Sequence, residues 1–446
     1  MIGLFICLGI ILCVLYIVMM SMMIIFERDK PKNIIIWSVV FVATQILGYV
    51  IYILIRQVFY KKKNSLEIKQ REDEIYDQLI SNELSDNAVE TKHDVFSFNE
   101  LAFDTHTTTN NNFELLKNNE SFKEDLIKDL QNAKKYILLE LTKTNIIYFE
   151  DIKSVLIEKA KSNVDVRFVY DRHLNSKMIK DLRSSGVRVY RFSKFNTVGK
   201  VYANLRQVVS IDGEIVYLTN FNISQKQFKK DIESSCAFIK IKGDVVQDIN
   251  VAIHKDTIFA SGKYVEFENG EKSNYSNNTT MQYLTNQANS DMELALIKAI
   301  CMAKKSVQME LSQFIPTESI MSLLRFAINS NIQVKLMVPL KNYSFGTYFA
   351  SRAYAKELAL LGANVYLYDG YINFNAITID DEYVICGSYI IDREHINTSP
   401  QNMLFIKDKK AVKQFNEIFE TCIDNSYRIN NAKYMLLREK FFKNFV

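Results

Sequence analysis

The chain has 446 residues, 48% of them hydrophobic, which is enough for two domains with sizeable cores. Four prolines and thirteen glycines exclude a collagen-like or low-complexity chain, and a net charge of +4 gives no global case for nucleic-acid binding. The six cysteines are scattered without metal-ligand spacing, so they read as reduced buried thiols; no metal or other cofactor is expected.

Ile2 to Phe26 holds no charged residue, and at ~1.5 Å per residue it is long enough to cross ~30 Å of hydrocarbon. A cleaved signal peptide would begin with basic residues, and Met1-Ile2-Gly3 does not. A short loop with Pro31 leads to a second apolar stretch, Ile34 to Ile55, with Trp37 and Tyr60 near its ends as interfacial anchors. Arg56, Lys61, Lys62, Lys63, Lys69 and Arg71 outnumber the basic residues between the stretches, which places this side, and both termini, in the cytoplasm. The expectation is a multi-pass cell-membrane protein with two spans. Ser65 to Asn112 is charged and ends in TTTNNN, the composition of a solvated tether with at most one helix.

Ser121 and Glu124 have capping-box spacing for a helix running to about Lys135. The strand YILLELT, a helix over 151–161, the strand VDVRFVYD, a helix near 176–183 and the strand VRVYRF follow. Strands alternating with helices imply parallel pairing with helices on both faces. Val208 to Ile211 and Ile215 to Leu218, joined at Asp212-Gly213, read as a buried hairpin with a tight turn. The polar run EKSNYSNNTT is a linker, after which the same order repeats: SVQMELSQF, IQVKLMVP, ANVYLYDG, and a hairpin at Asp380. The two hairpins are related by a constant offset of 168 residues: Ile211 matches Ile379, Asp212 matches Asp380 and Glu214 matches Glu382. Such a duplication means two copies of one supersecondary unit. The expected segments are an anchor over 1–60, a tether over 61–112, a first α/β domain over 113–270, a linker over 271–280, a second α/β domain over 281–424 and a tail over 425–446. In the tail, Tyr434, Leu437 and Phe441 share a helical face among basic residues, which suits either an anionic membrane surface or packing on the domain.

ERDKPKNIIIW, VDVRFVYD with GVRVYRF, and FIPTESIMSLL, SRAYAKEL and VYLYDGYI resemble segments of bacterial cardiolipin synthases, of the phospholipase D superfamily. The resemblance covers nearly the whole chain. It implies two phospholipase D-like α/β domains in pseudo-twofold tandem behind two transmembrane helices. It also implies a phosphatidyl transferase chemistry carried by two His-x-Lys-x4-Asp motifs, one per repeat, that meet at the domain interface. There one His attacks the phospholipid phosphorus, the other protonates the leaving alcohol, and the lysines with a downstream Asn or Ser hold phosphate oxygens.

The sequence departs from that pattern at the reactive positions. The first motif reads Leu205, Gln207, Asp212; the second reads Asn373, Asn375, Asp380. Only the aspartates match, while Asn222 and Ser388 match the phosphate-holding positions. Leucine and asparagine offer neither a nucleophile nor a titratable proton. Losing a positioned acid–base group costs roughly 100- to 10,000-fold, and losing the nucleophile costs about a millionfold. His173 and His395, the histidines nearest the two units, stand on loops and read as surface residues. Asp212 and Asp380 read as turn residues that bond local backbone, and Glu140 and Glu310, at the ends of matched strands, as hydrogen-bonded structural groups. The expectation is therefore a membrane-anchored, catalytically inactive relative that binds phospholipid or modulates an active synthase or another membrane enzyme. The alternative is an active phosphatidyl transferase with a non-standard nucleophile. Nucleic acid is not an expected partner.

Overall fold

The computed structural model describes residues 14–24, 31–44, 47–53, 94–141, 146–171, 176–192, 204–218, 234–235, 237–263, 279–285, 291–340, 345–372, 374–392, 396, 400–429 and 443. They fall into two compact units, one up to Gln78 and one from Leu79 onward.

In the first unit, residues 14–24, Pro31–Thr44 and 47–53 are helical. Met23, Phe41 and Tyr52 are buried together, and Trp37 meets Tyr52 edge-on at 5.0 Å. Val39, Val42 and Leu47 are exposed. Among the described residues no helix is long and apolar enough to cross a membrane. The expected spans 2–26 and 34–55 are thus not met by the described helices, each of which falls short of the ~20 residues a span needs. The rest of both stretches lies outside the described residues.

The second unit is a mixed α/β body. Residues 94–112, assigned to the tether above, belong to its packed structure. Helix α1 (Val95–Phe103) is capped by Asp94, whose carboxylate accepts from the backbone N–H of Phe96 and Ser97. It buries Val95 and Phe96 in the core of the second repeat. Strand β1 (Thr107–Thr108) follows, then β2 (Asn111–Leu116). The first repeat continues with α2 (Asn119–Asn132), β3 (Tyr136–Leu141), α3 (Ile146–Lys161), β4 (Asp165–Tyr170), α4 (Ser176–Ser184), β5 (Arg188–Arg191), β6 (Val208–Ile211), β7 (Ile215–Leu218), β8 (Ser234–Ser235), β9 (Phe238–Gly243) and α5 (Val245–Ser261). The cap of α2 is Asn118, which accepts from Ser121 N at 2.8 Å; the capping box expected at Ser121 does not open the helix, because the chain turns helical two residues earlier.

The second repeat runs β10 (Thr280–Thr285), α6 (Met292–Cys301), β11 (Ser306–Glu310), β12 (Phe314–Ile315), α7 (Glu318–Asn329), β13 (Gln333–Pro339), α8 (Phe345–Leu360), β14 (Asn364–Tyr368), β15 (Tyr371–Ile372), β16 (Asn375–Ile379), β17 (Tyr383–Gly387), β18 (Ile391–Asp392), β19 (Asn402–Lys407), α9 (Lys409–Ile423) and β20 (Ser426–Arg428).

The duplication is explicit in the sheets. The seven-stranded sheet is ordered β2-β9-β7-β6-β3-β4-β5. The nine-stranded sheet contains the equivalent run β10-β19-β17-β16-β11-β13-β14, extended by β1 at one edge and β20 at the other. In each, three parallel strands carry the helices and the hairpin adds antiparallel neighbours. The strand β1, early in the chain, closes the second repeat's sheet against β10, and β2 closes the first repeat's sheet against β9. Residues 107–116 therefore tie the two repeats together. Between them lies one shared apolar core: Val208, Val216, Ile239 and Ile241 from the first sheet, Tyr283, Ala376, Val384 and Leu404 from the second, and the buried faces of α5 and α9. The opposite face of each sheet has its own core.

Candidate functional site

Both hairpins turn through three residues rather than a two-residue Asp-Gly turn: Ile211 pairs with Ile215 and Ile379 with Tyr383. Asp212 and Asp380 take left-handed backbone, at φ +54° and +52°. In that conformation each carboxylate reaches the segment leading into the neighbouring strand. Asp212 accepts from the backbone N–H of Lys134 (2.8 Å), Lys135 (2.7 Å) and Tyr136 (2.9 Å). Asp380 accepts from Lys304 (3.0 Å), Lys305 (2.7 Å) and Ser306 (2.9 Å). The sequence alone predicts that each aspartate bonds the backbone of its own turn; its partners lie instead in the segment leading into β3 or β11. The matched Ala-Lys-Lys segments of the two repeats are the donors.

The other motif positions lie in the protein interior. Leu205 is 8% exposed, Gln207 2% and Asn375 1%. The backbone N–H of Leu205 donates to Pro400 O at 2.8 Å, so the first motif position touches the second repeat. Asn375 accepts from Ser312 N at 2.7 Å and donates to Tyr389 O. Ser388 is buried and its hydroxyl accepts from Asn402 N at 3.1 Å. Asn373, Asn222, His173 and His395 lie outside the described residues.

Around Leu205 the structure assembles a polar cluster. Glu140, at the end of β3, is 2% exposed and accepts from the side-chain amide of Asn204. The same amide nitrogen donates to Asp256 of α5 at 3.0 Å. Arg206 is 4% exposed; its Nη1 pairs with Asp256, and its Nε and Nη2 donate to the Thr285 hydroxyl at 2.9 and 2.5 Å. Thr285, at the end of β10 in the second repeat, donates to Gln401 O at 2.8 Å. The Gln401 side chain accepts from Ile390 N at 2.5 Å, and Tyr389 N donates to Asn402 O at 3.2 Å. Asp171, just past β4, accepts from Asn204 N at 2.9 Å. A hydrogen-bonded seam thus runs from Glu140 through Arg206 and Thr285 to the segment that holds Asn375.

Burial raises the Glu140 carboxyl well above the ordinary range, and the Asp256 charge adds to this. Burial opposes charge on Arg206, but the Asp256 carboxylate outweighs it and the group stays firmly cationic. Burial also raises the Tyr283 phenol. Among the described residues no cluster of His, Cys, Asp and Glu has the arrangement to hold a metal ion. An open depression of about 1030 Å³ runs along α9, lined in part by Lys117, Lys409, Lys413 and Glu417, and none of the motif positions lines it. Sequence reasoning reached Glu140 and the motif positions but missed Asn204, Arg206, Asp256 and Thr285. Arg206 carries one readable signal, since it lies between the two reactive positions of the first motif. Asp256 and Thr285 carry none, because only the fold brings α5 and β10 to that point.

The family model described as "Cardiolipin synthase, PLD-like domain" matches residues 296–423. The probable cardiolipin synthase YwiE of Bacillus subtilis is 24% identical over 449 aligned residues, covering 95% of this chain and 89% of that protein. The major cardiolipin synthase ClsA of the same organism is 28% identical, covering 90% of each. The crystal structure of a phosphatidylserine synthase from Haemophilus influenzae superposes with a TM-score of 0.56 at 14% identity, covering 75% of this chain and 92% of that one, which is a likeness of fold. Residues 296–423 thus match a cardiolipin synthase-type PLD-like domain, and over most of its length the chain is similar to bacterial cardiolipin synthases.

Proposed function

We propose that this protein engages membrane phospholipid at the seam between its two repeats without the two-histidine transfer chemistry, and that it acts as a lipid-binding partner or modulator of an active phospholipid-synthesising enzyme. One observation carries the reading: the buried motif positions Leu205, Gln207 and Asn375 supply neither a nucleophile nor a cation. Leu205 has no lone pair with which to attack phosphorus, and Asn375 spends both ends of its amide on the backbone. The remaining motif residues Asp212 and Asp380 are committed to backbone N–H groups. The likeness to cardiolipin synthases over most of the chain supports phospholipid as the ligand class. On this reading the apolar stretches 2–26 and 34–55 hold the protein in the cell membrane with both termini cytoplasmic, and Asn222 and Ser388 are the polar positions nearest a headgroup.

The same extended likeness favours a second reading, an active phosphatidyl transferase that uses a nucleophile outside the two motifs. Purified full-length protein in vesicles containing phosphatidylglycerol separates the two. The expected result is headgroup-dependent binding with no cardiolipin formed. Sustained cardiolipin synthesis, lost on His173→Ala or His395→Ala, would overturn the first reading and establish the second.

A further inference from the structure

We propose that Glu140 keeps a proton, directed at Asp256, that holds the two repeats closed at the motif positions, and that loss of this proton loosens the seam. The inference does not depend on lipid binding. It rests on an imbalance of charge in a confined space. Asn204 offers its side-chain nitrogen to both Glu140 and Asp256, so the two carboxyl groups converge on one amide. Among the described residues one guanidinium, Arg206, serves the pair, and of the two carboxyl groups it bonds Asp256. The second carboxyl oxygen of Glu140 is buried with no hydrogen-bond partner among the described residues. A buried carboxylate oxygen left so is costly. A protonated Glu140 removes the cost, because its O–H finds the Asp256 carboxylate as acceptor and the repulsion between the pair disappears.

The groups that face Glu140 come from several elements. Asp256 comes from α5, Arg206 and Asn204 from the segment before β6, and Tyr283 from β10. Asp171, beyond the end of β4, accepts from the Asn204 backbone. Only Arg206 among them is cationic. Removing the Glu140 proton leaves two carboxylates against one guanidinium. The group they then compete for is also the cross-seam link, since Arg206 donates to Thr285 of the second repeat and Thr285 donates to Gln401. Any pull of Glu140 on Arg206 or Asn204 is transmitted to that link and to the Leu205–Pro400 backbone bond beside it. The proton is therefore a latch on the interface that buries Leu205 and Gln207.

The sign of the pH effect follows. A carboxyl whose folded pKa is raised above its unfolded value loses stabilisation as pH rises from that unfolded value through the folded one. Hydrogen exchange followed by mass spectrometry on full-length protein in detergent reads the seam directly, with protection factors taken for peptides over 204–208 and 400–405 across a pH series. In the unmodified protein, protection there should fall with pH, by up to about tenfold per pH unit while the one proton is leaving. Glu140→Gln retains an N–H donor toward Asp256 at every pH, so its seam should be pH-independent and, at alkaline pH, better protected than the unmodified one. Asp256→Asn removes the charge while keeping an acceptor oxygen and provides a second variant should the first fold poorly; with no second carboxylate to repel, its seam should lose less protection at alkaline pH than the unmodified one. A seam in the unmodified protein whose protection does not change with pH would overturn the proposal. So would a Glu140→Gln seam that is less protected by the same factor at every pH, since a purely structural glutamate predicts that result.

Discussion

Replacing Asp380 by alanine is expected to destabilise the second repeat strongly without touching any group that faces a ligand. The carboxylate accepts three backbone N–H groups, from Lys304, Lys305 and Ser306 at 2.7–3.0 Å. Hydrogen bonds to a charged acceptor contribute ~1.5–3 kcal/mol when fully buried. Lys304 and Lys305 lie toward solvent, where water replaces much of the loss, so about 1 kcal/mol for each of the three bonds is the better figure. Alanine must also adopt φ near +52°, which adds roughly 1 kcal/mol. The sum is about 3–4 kcal/mol for Asp380→Ala. Asparagine tolerates the left-handed conformation and keeps one acceptor oxygen, so Asp380→Asn should cost about half as much. The matched substitutions at Asp212 should behave in parallel, because its geometry is the same. Urea denaturation followed by circular dichroism measures the difference as a shift in midpoint at constant slope. An Asp380→Ala protein within about 0.5 kcal/mol of the unmodified one, or an asparagine variant as unstable as the alanine one, would refute the reasoning.

Gly387→Ala should be more damaging still: the residue sits at φ +145°, and a Cβ there would meet the Asn402 carbonyl oxygen at 2.3 Å, a backbone atom of the neighbouring strand. A loss of about 3 kcal/mol or more, or failure to accumulate as folded protein, is expected in expression and melting assays; near-normal melting would mean that β19 is free to shift. His106 pairs with Asp248 at 3.6 Å, and this neighbouring carboxylate raises its pKa against the opposing effect of burial. A raised histidine stabilises fully below its unfolded value and loses that contribution as pH rises through the folded one, so melting of the unmodified protein should fall between about pH 5.5 and about pH 8.5 more than that of His106→Gln. Equal pH slopes for the two proteins would remove His106 from the account.

The duplicated architecture was legible because both repeats write it in the same residues. Apolar runs of strand length, a helix between each pair and an Asp at the same hairpin position recur in the same order, and the sheets realise that order strand for strand. The stretch before residue 113 was misread for a physical reason. TTTNNN has poor strand propensity, yet Asn111 is fully buried, donating to Thr108 O and Thr279 O and accepting from Val245 N. Its structure is set by two sheet edges that needed covering, a tertiary demand that composition does not register. The tail illustrates the same limit in one residue: Lys443 pairs with Glu357 and lies over the Tyr354 ring at 4.9 Å, both on α8. The site was legible where it is a motif and illegible where it is a meeting of elements. Leu205 and Asn375 are named by their register, whereas Asp256 and Thr285 reach Arg206 only through folding.

The surviving aspartates bear on how a degenerate motif should be read. Asp212 and Asp380 match the pattern that the histidines and lysines have lost, and such a match invites the inference that some chemistry persists. Their geometry gives a sufficient reason for them that involves no substrate: each ties three backbone N–H groups at the start of the strand beside its hairpin. A repeat that lost this residue would lose stability whether or not it turned over lipid. The reactive positions have the opposite character. In a working site they hold groups whose hydrogen-bonding capacity is reserved for a ligand, and an unoccupied interior position of that kind is costly to the fold. Here the capacity at the seam has been taken up from within, with Asn375 bonded to backbone, Arg206 to Asp256 and Thr285, and Leu205 packed in place of a donor. One carboxyl oxygen of Glu140 is an exception among the described residues, and it is there, rather than at the aspartates, that a remaining capacity to respond to the surroundings is found.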